Sequence, residues 1–354
     1  MRLGLNLGYW GAGNHADNVA LAQEADRLGY DSVWVAEAYG SDSPSVLAWV
    51  GALTEHVALG SAVMQIPGRT PAMTAMTAAT IDALSGGRFR LGLGVSGPQV
   101  SEGWHGVRFT RPLGRTREYV EIVRMALQRK TLRYDGEFWT LPLPDGPGKA
   151  LKLTIRPVQD PVPVYLAAVG PKNLELTGEI ADGWLAIFFS PEHSSDLLGH
   201  VTAGRRLAGK GTPDDALAGF DVVATVPVVV HDDVEAAADT LRDYCALYIG
   251  GMGSREKNFY NQLACRMGFE GAAREIQDLY LAGEHRAAAA AVPYEFIDQT
   301  ALIGPPERIA SRLGRYAAAG VTTLAVSPHA GTLDDRRSMV RTMAEVVGAE
   351  GHSA

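Results

Sequence analysis

Cysteine is nearly absent. Cys245 and Cys265 are the only two in 354 residues. They stand too far apart for a CxxC motif and are too few for a disulfide framework, which favours a reducing, cytoplasmic setting. Long apolar runs are lacking as well. The stretch 222–230 is among the longest, far below the roughly 20 residues that cross a bilayer. The opening Met1-Arg2-Leu3-Gly4-Leu5-Asn6 has no apolar region of the kind that drives secretion. Positive charge is in deficit, with 32 Lys and Arg against 40 Asp and Glu and a formal net charge of -8. Nucleic-acid and anionic-membrane binders need the opposite balance. No His, Asp or Glu cluster has metal-ligand spacing, so no metal is expected. No GxSxG elbow suggests a serine hydrolase.

What is present is a periodic pattern. Short β-branched runs alternate with longer helical stretches, the signature of parallel βαβ units. Strands are expected at 3–7, 32–35, 57–63, 89–93, 164–168, 184–188, 222–230 and 323–326. Eight strands with interleaved helices close a (β/α)8 TIM barrel. A doubly wound open sheet could hold as many. No linker divides the chain, so 1–354 is expected to be a single barrel domain. It carries an excursion near 131–163, including a hairpin around Asp135-Gly136, a helical insertion near 250–299 and a polar tail from Gly348 onward. A split at the Pro- and Gly-rich 142–163 lacks a second complete pattern.

Barrel chemistry sits at the C-terminal ends of the strands. Gly92-Leu93-Gly94-Val95-Ser96-Gly97 spells GxGxxG. Pro98 and a further loop are expected after it rather than a helix, and no strand-ending acid follows about 20 residues on, so the dinucleotide reading is rejected. Glycines there let backbone approach a flat ring. Ala167-Ala168-Val169-Gly170-Pro171-Lys172-Asn173 joins the fifth strand to a helix, whose N-terminus favours a phosphate; an ordinary βα turn is the alternative. Glu37, after the second strand, and His105, after the fourth, are candidate proton carriers, or a rim carboxylate paired to a base and a loop-capping histidine. His15 carries the same ambiguity. Trp10, Tyr39, Trp104, Phe188 and Phe189 fall at strand ends and either wall an apolar pocket or pack the core.

An ordered set of motifs goes further. It runs Ser32-Val33-Trp34-Val35-Ala36-Glu37, Leu59-Gly60-Ser61-Ala62-Val63, Arg69-Thr70-Pro71-Ala72, Leu84-Ser85-Gly86-Gly87-Arg88-Phe89, Gly92-Leu93-Gly94 and Glu179-Ile180-Ala181-Asp182-Gly183-Trp184. This set resembles the luciferase-like monooxygenase superfamily. Gly94-Val95-Ser96-Gly97-Pro98-Gln99-Val100 and Ile303-Gly304-Pro305-Pro306 resemble its actinobacterial branch of coenzyme F-420-dependent oxidoreductases. The resemblance implies a TIM barrel and hydride transfer between the deazaflavin C5 and a small organic substrate (C=C, C=N, or alcohol and carbonyl). It implies a cis peptide at Ala62-Val63 behind the cofactor ring. Ser96, Gly97, Gln99 and Ser101 would line the ring edge, and Val169, Gly170, Pro171 and Lys172 would hold the phosphate. It also implies a homodimer. Several deazaflavin members carry Asp-His where this chain has Glu37-Ala38, so the usual imidazole is absent; Glu37, His105 or Tyr39 would have to replace it. An FMN-dependent monooxygenase and a non-catalytic (deaza)flavin-binding protein are the alternatives. Arg255-Glu256-Lys257 either neutralises the cofactor's acidic tail or is a solvated charge cluster.

Overall fold

A computed structural model describes residues 1–10 and 15–351. Eight parallel strands form its centre: β1 (Arg2–Asn6), β2 (Ser32–Val35), β3 (Ala58–Ser61), β4 (Phe89–Gly94), β5 (Val164–Ala167), β6 (Gly183–Ile187), β7 (Asp221–Val230) and β8 (Thr323–Pro328). Each pairs with the next, and β8 pairs with β1, Arg2 opposite Thr323. The last link, β6 to β7, aligns Gly183 with Asp221 through Ile187 with Thr225. The sheet therefore closes on itself, which excludes the open doubly wound alternative.

A closed barrel must fill its own interior. Trp34 and Tyr165 do most of this, edge to face at 5.3 Å and 73°, with Leu185, Val223 and Ala325 around them. Two glycines make the room. A Cβ at Gly60 would collide with the Trp34 ring, and one at Gly183 with the Tyr165 ring. Below this plug the strand starts are locked by polar contacts. Asp221 accepts from the Tyr165 hydroxyl (3.0 Å) and the Thr323 hydroxyl (2.8 Å) and pairs with Arg2. Arg90 donates to Asp31 at 2.7 Å. Above the plug only small groups remain: Ala62, Val63 and Ala167 pack on it, and Asn6 spans to Thr225 at 3.3 Å.

The excursion is pinned by two carboxylates, one of them buried. Asp82 accepts from the Val158 and Gln159 amides and the Gln159 side chain, and Glu118 accepts from three successive amides, 137–139. The expected hairpin is present, Tyr134–Asp135 against Thr140–Leu141. Four differences from the sequence pattern matter. The third strand stops at Ser61, passes through the cis Ala62-Val63 bond, and resumes as Met64–Gln65 beside Leu93 and Gly94. Leu302–Gly304 adds a short parallel strand against the end of β7. The third glycine of the GxGxxG run does start a helix, Pro98–Gly103, contrary to the expected loop. The closing helix continues to Gly351, where a polar tail was expected from 348. No helix among the described residues is long and apolar enough to cross a membrane.

The plug gives a stability test. Gly60→Ala forces a methyl against a fully buried indole, and overpacking of this kind costs roughly 1–3 kcal/mol. Denaturant melts of Gly60→Ala and wild type should differ by about that much; equal midpoints would mean that Trp34 has room to move.

Candidate functional site

The mouth of the barrel is where the strands end, and most sequence-derived candidates lie around it. Ser61 ties β3 to β4 just beneath the bulge: its hydroxyl donates to the Gly92 carbonyl (2.8 Å) and accepts from the Gly92 amide (2.9 Å). Gly94 leaves space for Val63, whose Cγ2 would stand 2.6 Å from a Cβ there. Past β4, Ser96 takes φ 60, a left-handed conformation uncommon for a side-chain-bearing residue, and turns the chain into the short helix. Gln99 is exposed and Gly97 partly so. Ser101 is buried, and its hydroxyl donates inward to the Val107 carbonyl at 2.7 Å. It therefore shapes the loop and offers no free donor to the mouth.

Glu37 sits at the end of β2 with both carboxylate oxygens engaged. Its carboxylate accepts two bonds from Arg69 (2.6 and 2.8 Å), one from the Gln65 amide (2.9 Å) and one from the Ser43 amide (3.1 Å). This is the paired rim carboxylate, and it fixes the chain immediately after the bulge. The imidazole of His105 lies 2.9 Å from the side-chain oxygen of the same Gln65. The two proposed proton carriers are thus brought together through Gln65, a residue with no distinguishing motif around it, as a brace just after Ala62-Val63.

The turn after β5 is open. Gly170 caps the helix Pro171–Ile180 without any side-chain cap, so the amides of the first turn have no side-chain partner. No atom lies within 4 Å of where a Gly170 Cβ would stand. Lys172 is exposed and pairs with Glu175 (2.8 Å) on the helix surface. The cation that reaches the turn is Arg266, which donates to the Val169 carbonyl at 2.8 Å. Beside it opens a cavity of 380 Å³ lined by Phe188, Ser190, Glu192, His193, Asp196 and Arg266 among others. Arg255 is paired with Asp278, so the Arg255–Lys257 cluster is a surface feature with one of its cations already engaged.

The aromatic candidates divide. Trp10 is buried against Trp49 and stacked with His15, which is core packing and not a pocket wall. Phe189 is buried against Trp184 and Tyr316. Tyr39 and Trp104 are exposed at the rim. Phe188 is buried at φ 50, the centre of a ring cluster with Tyr244, Tyr248, Tyr260 and Phe296, and it touches the cavity only at its edge. The sequence reading missed His329, just past β8. Its ring meets Tyr244 edge to face at 5.3 Å, and burial pushes the imidazole down to about 4. The same signal that marks Glu37, a polar residue following a strand, also marks His329.

The brace can be tested. Glu37→Gln removes the charge that neutralises Arg69, whose side chain is only 16% exposed. Breaking one side of such a pair costs on the order of 3 kcal/mol, so the variant should melt well below wild type. An unchanged melt with lost turnover would return Glu37 to the role of proton carrier.

Comparison with known proteins places this geometry. The family profile described as luciferase-like monooxygenase matches residues 6–323. A putative coenzyme F-420-dependent oxidoreductase of Mycobacterium tuberculosis is 42% identical over 348 residues, 96% of this chain and 98% of that protein. A 5,10-methylenetetrahydromethanopterin reductase of Archaeoglobus fulgidus is 29% identical, covering 91% of this chain and 92% of the relative. Among solved structures, the coenzyme F-420-dependent tetrahydromethanopterin reductase of Methanopyrus kandleri superposes with a TM-score of 0.81 at 20% identity, covering 98% of both chains.

Proposed function

The chain belongs to the luciferase-like monooxygenase family, and on that premise we propose that it is an oxidoreductase using coenzyme F-420 to move hydride to or from a small organic substrate, at a C=C, C=N or alcohol/carbonyl carbon. The observation that carries this is the mycobacterial relative, so named and 42% identical over nearly the full length of both chains. The residues present fit a flat phosphorylated cofactor. The uncapped helix start at Gly170 leaves space where any side chain would intrude, and Ala62, Val63 and Ala167 leave a shallow apolar cup above the Trp34 plug.

When bound, a deazaflavin supplies a ring carbon that gives and takes hydride and reacts poorly with oxygen. The chain supplies position. Val169, Gly170 and Lys172 would hold the phosphate through backbone amides, with Pro171, which has no N–H, shaping the turn and Arg266 adding charge. Ala62 and Val63 would back the ring, and Ser96, Gly97 and Gln99 would border its edge, with Ser101 holding their loop. Glu37 and His105 keep the bulge in place through Gln65. Tyr39 and Trp104 stand at the rim where substrate would enter. A reducing, cytoplasmic setting belongs to the same reading, supported by Cys245 and Cys265 both being free thiols.

Fluorescence titration tests the cofactor. The protein should bind F-420 at least about tenfold more tightly than FMN, the charge-assisted phosphate contacts being common to both and the ring environment deciding; equal or tighter FMN binding would sink the assignment. Gly170→Asp should abolish F-420 binding with an unchanged melt, because the position is open and lies outside the core. Normal binding by that variant would place the phosphate elsewhere.

The same reading includes a homodimer. The helix Ser43–Ala52 carries no charged residue, and Pro71–Leu84 carries only Asp82, which is buried. Their outward faces expose Trp49, Met73, Met76 and Leu84. Contiguous apolar surface of this kind marks association sites. Light scattering at micromolar concentration should give a dimer for wild type and a monomer for Met73→Glu/Met76→Glu; a wild-type monomer would refute it.

A further inference from the structure

One side of the mouth is built from rings with polar tips. Tyr9 follows β1, His329 follows β8, and Tyr244, Tyr248 and Tyr260 come from the chain after β7. The Tyr244 and Tyr248 rings are 4.9 Å apart, as are those of Tyr248 and Tyr260. Tyr248 occupies a π-helical turn, Leu247–Gly251. Single turns of this type recur at functional sites. The turn is held by Asn258, whose side-chain amide donates to the Tyr248 carbonyl (3.0 Å) and the Ile249 carbonyl (2.9 Å) while buried. Asn258 also caps the helix Phe259–Arg266 that carries Tyr260. Behind the rings, Phe188 closes the cluster.

This wall carries no charge near neutral pH. Burial raises the Tyr244, Tyr248 and Tyr260 phenols above the ordinary value and lowers His329. Arg242, beside Cys245, is engaged by Asp239 and the Val292 carbonyl, and Arg266, at the far end of the Tyr260 helix, donates to the Val169 carbonyl. The hydrogen bonding has a direction. The Tyr248 hydroxyl donates to the Tyr9 hydroxyl at 3.4 Å, so the proton of Tyr9 is left for an outside acceptor. Tyr9 is 46% exposed.

We propose that this wall is the substrate-binding surface and that it takes an uncharged alcohol or carbonyl compound with an apolar ring or chain, its oxygen accepting a hydrogen bond from Tyr9. The inference rests on the oxidoreductase reading. An ionic substrate would surrender its hydration to a surface that offers no counter-charge, whereas an uncharged one gains ring contacts and meets one oriented donor. A donor that itself accepts a hydrogen bond is polarised toward its acceptor.

The protein loaded with reduced F-420 is tested with cyclohex-2-en-1-one, and loaded with oxidised F-420 it is tested with cyclohexanol as the second uncharged probe and glucose 6-phosphate as an anionic one. Saturation-transfer NMR reads binding, and cofactor absorbance reads turnover. Both uncharged probes should receive saturation and at least one should turn over, while glucose 6-phosphate should do neither. Tyr9→Phe and Tyr248→Phe should raise KM for the uncharged probe roughly three- to tenfold, the loss of one hydrogen bond, with unchanged F-420 affinity and melting temperature. Preference for glucose 6-phosphate, no saturation or no turnover of either uncharged probe, or unaltered KM in both variants would overturn the proposal. Failure of wild type to bind F-420 would instead overturn the cofactor assignment; the saturation-transfer arm on the cofactor-free protein, with the same two variants, then decides the wall by itself.

Discussion

The position of Trp34 on the barrel axis governs the rest of the molecule. Eight closed strands enclose a space that side chains must fill, and here the fill is concentrated at mid-height by one indole against one phenol. That choice requires glycine on the facing strands and leaves the levels above and below to other kinds of residue. Below, where the strands begin, polar groups find fixed partners around Asp221. Above, Ala62, Val63 and Ala167 pack on the plug and Asn6 spans to Thr225.

A shallow cup needs a rigid rim, and the rim is made by groups that look catalytic in the sequence. Glu37 has the position of an acid at work. With four hydrogen bonds and Arg69 against it, it acts as an anchor for Gln65 and through Gln65 for His105. Ser96 and Phe188, both side-chain-bearing residues at positive φ, stand just past β4 and β6. Such conformations persist only where the surroundings over-determine them, and both are followed at once by segments that wall the mouth.

The barrel was legible because its signal is periodic. Each of the eight expected strands lies in the circuit, since alternation of apolar strand and amphipathic helix is repeated and errors at single boundaries do not accumulate. The interruption at Ala62-Val63 came only from the resemblance; nothing in the local composition of Leu59-Gly60-Ser61-Ala62-Val63 separates a bulge from a continuing strand. Site roles were less legible, because a residue type states what a side chain can do and its partners decide what it does. Lys172 and Arg266 are alike in sequence, yet Glu175 occupies one and the Val169 turn receives the other. Trp10 and Tyr39 both follow strands, but one is core and the other rim. The π turn at Leu247–Gly251 has no composition signal at all. It exists because Asn258, several residues on, satisfies its carbonyls.

The insertion after β7 thereby does two tasks with one short helix. Asn258 starts it, Tyr260 stands in its first turn and Arg266 ends it. Six residues of helix rise about 9 Å between Tyr260 and Arg266, enough to place a phenol in the neutral wall and a guanidinium at the turn after β5. The two sides of the mouth thus differ in charge: amides and a cation at the Gly170 turn, neutral hydroxyls and an uncharged imidazole beside β1 and β8. Such a polarity suits a ligand that is anionic at one end and meets an uncharged partner at the other. Asn258 therefore positions one helix that reaches both sides, with Tyr260 among the rings at its start and Arg266 donating to the Val169 carbonyl at its end.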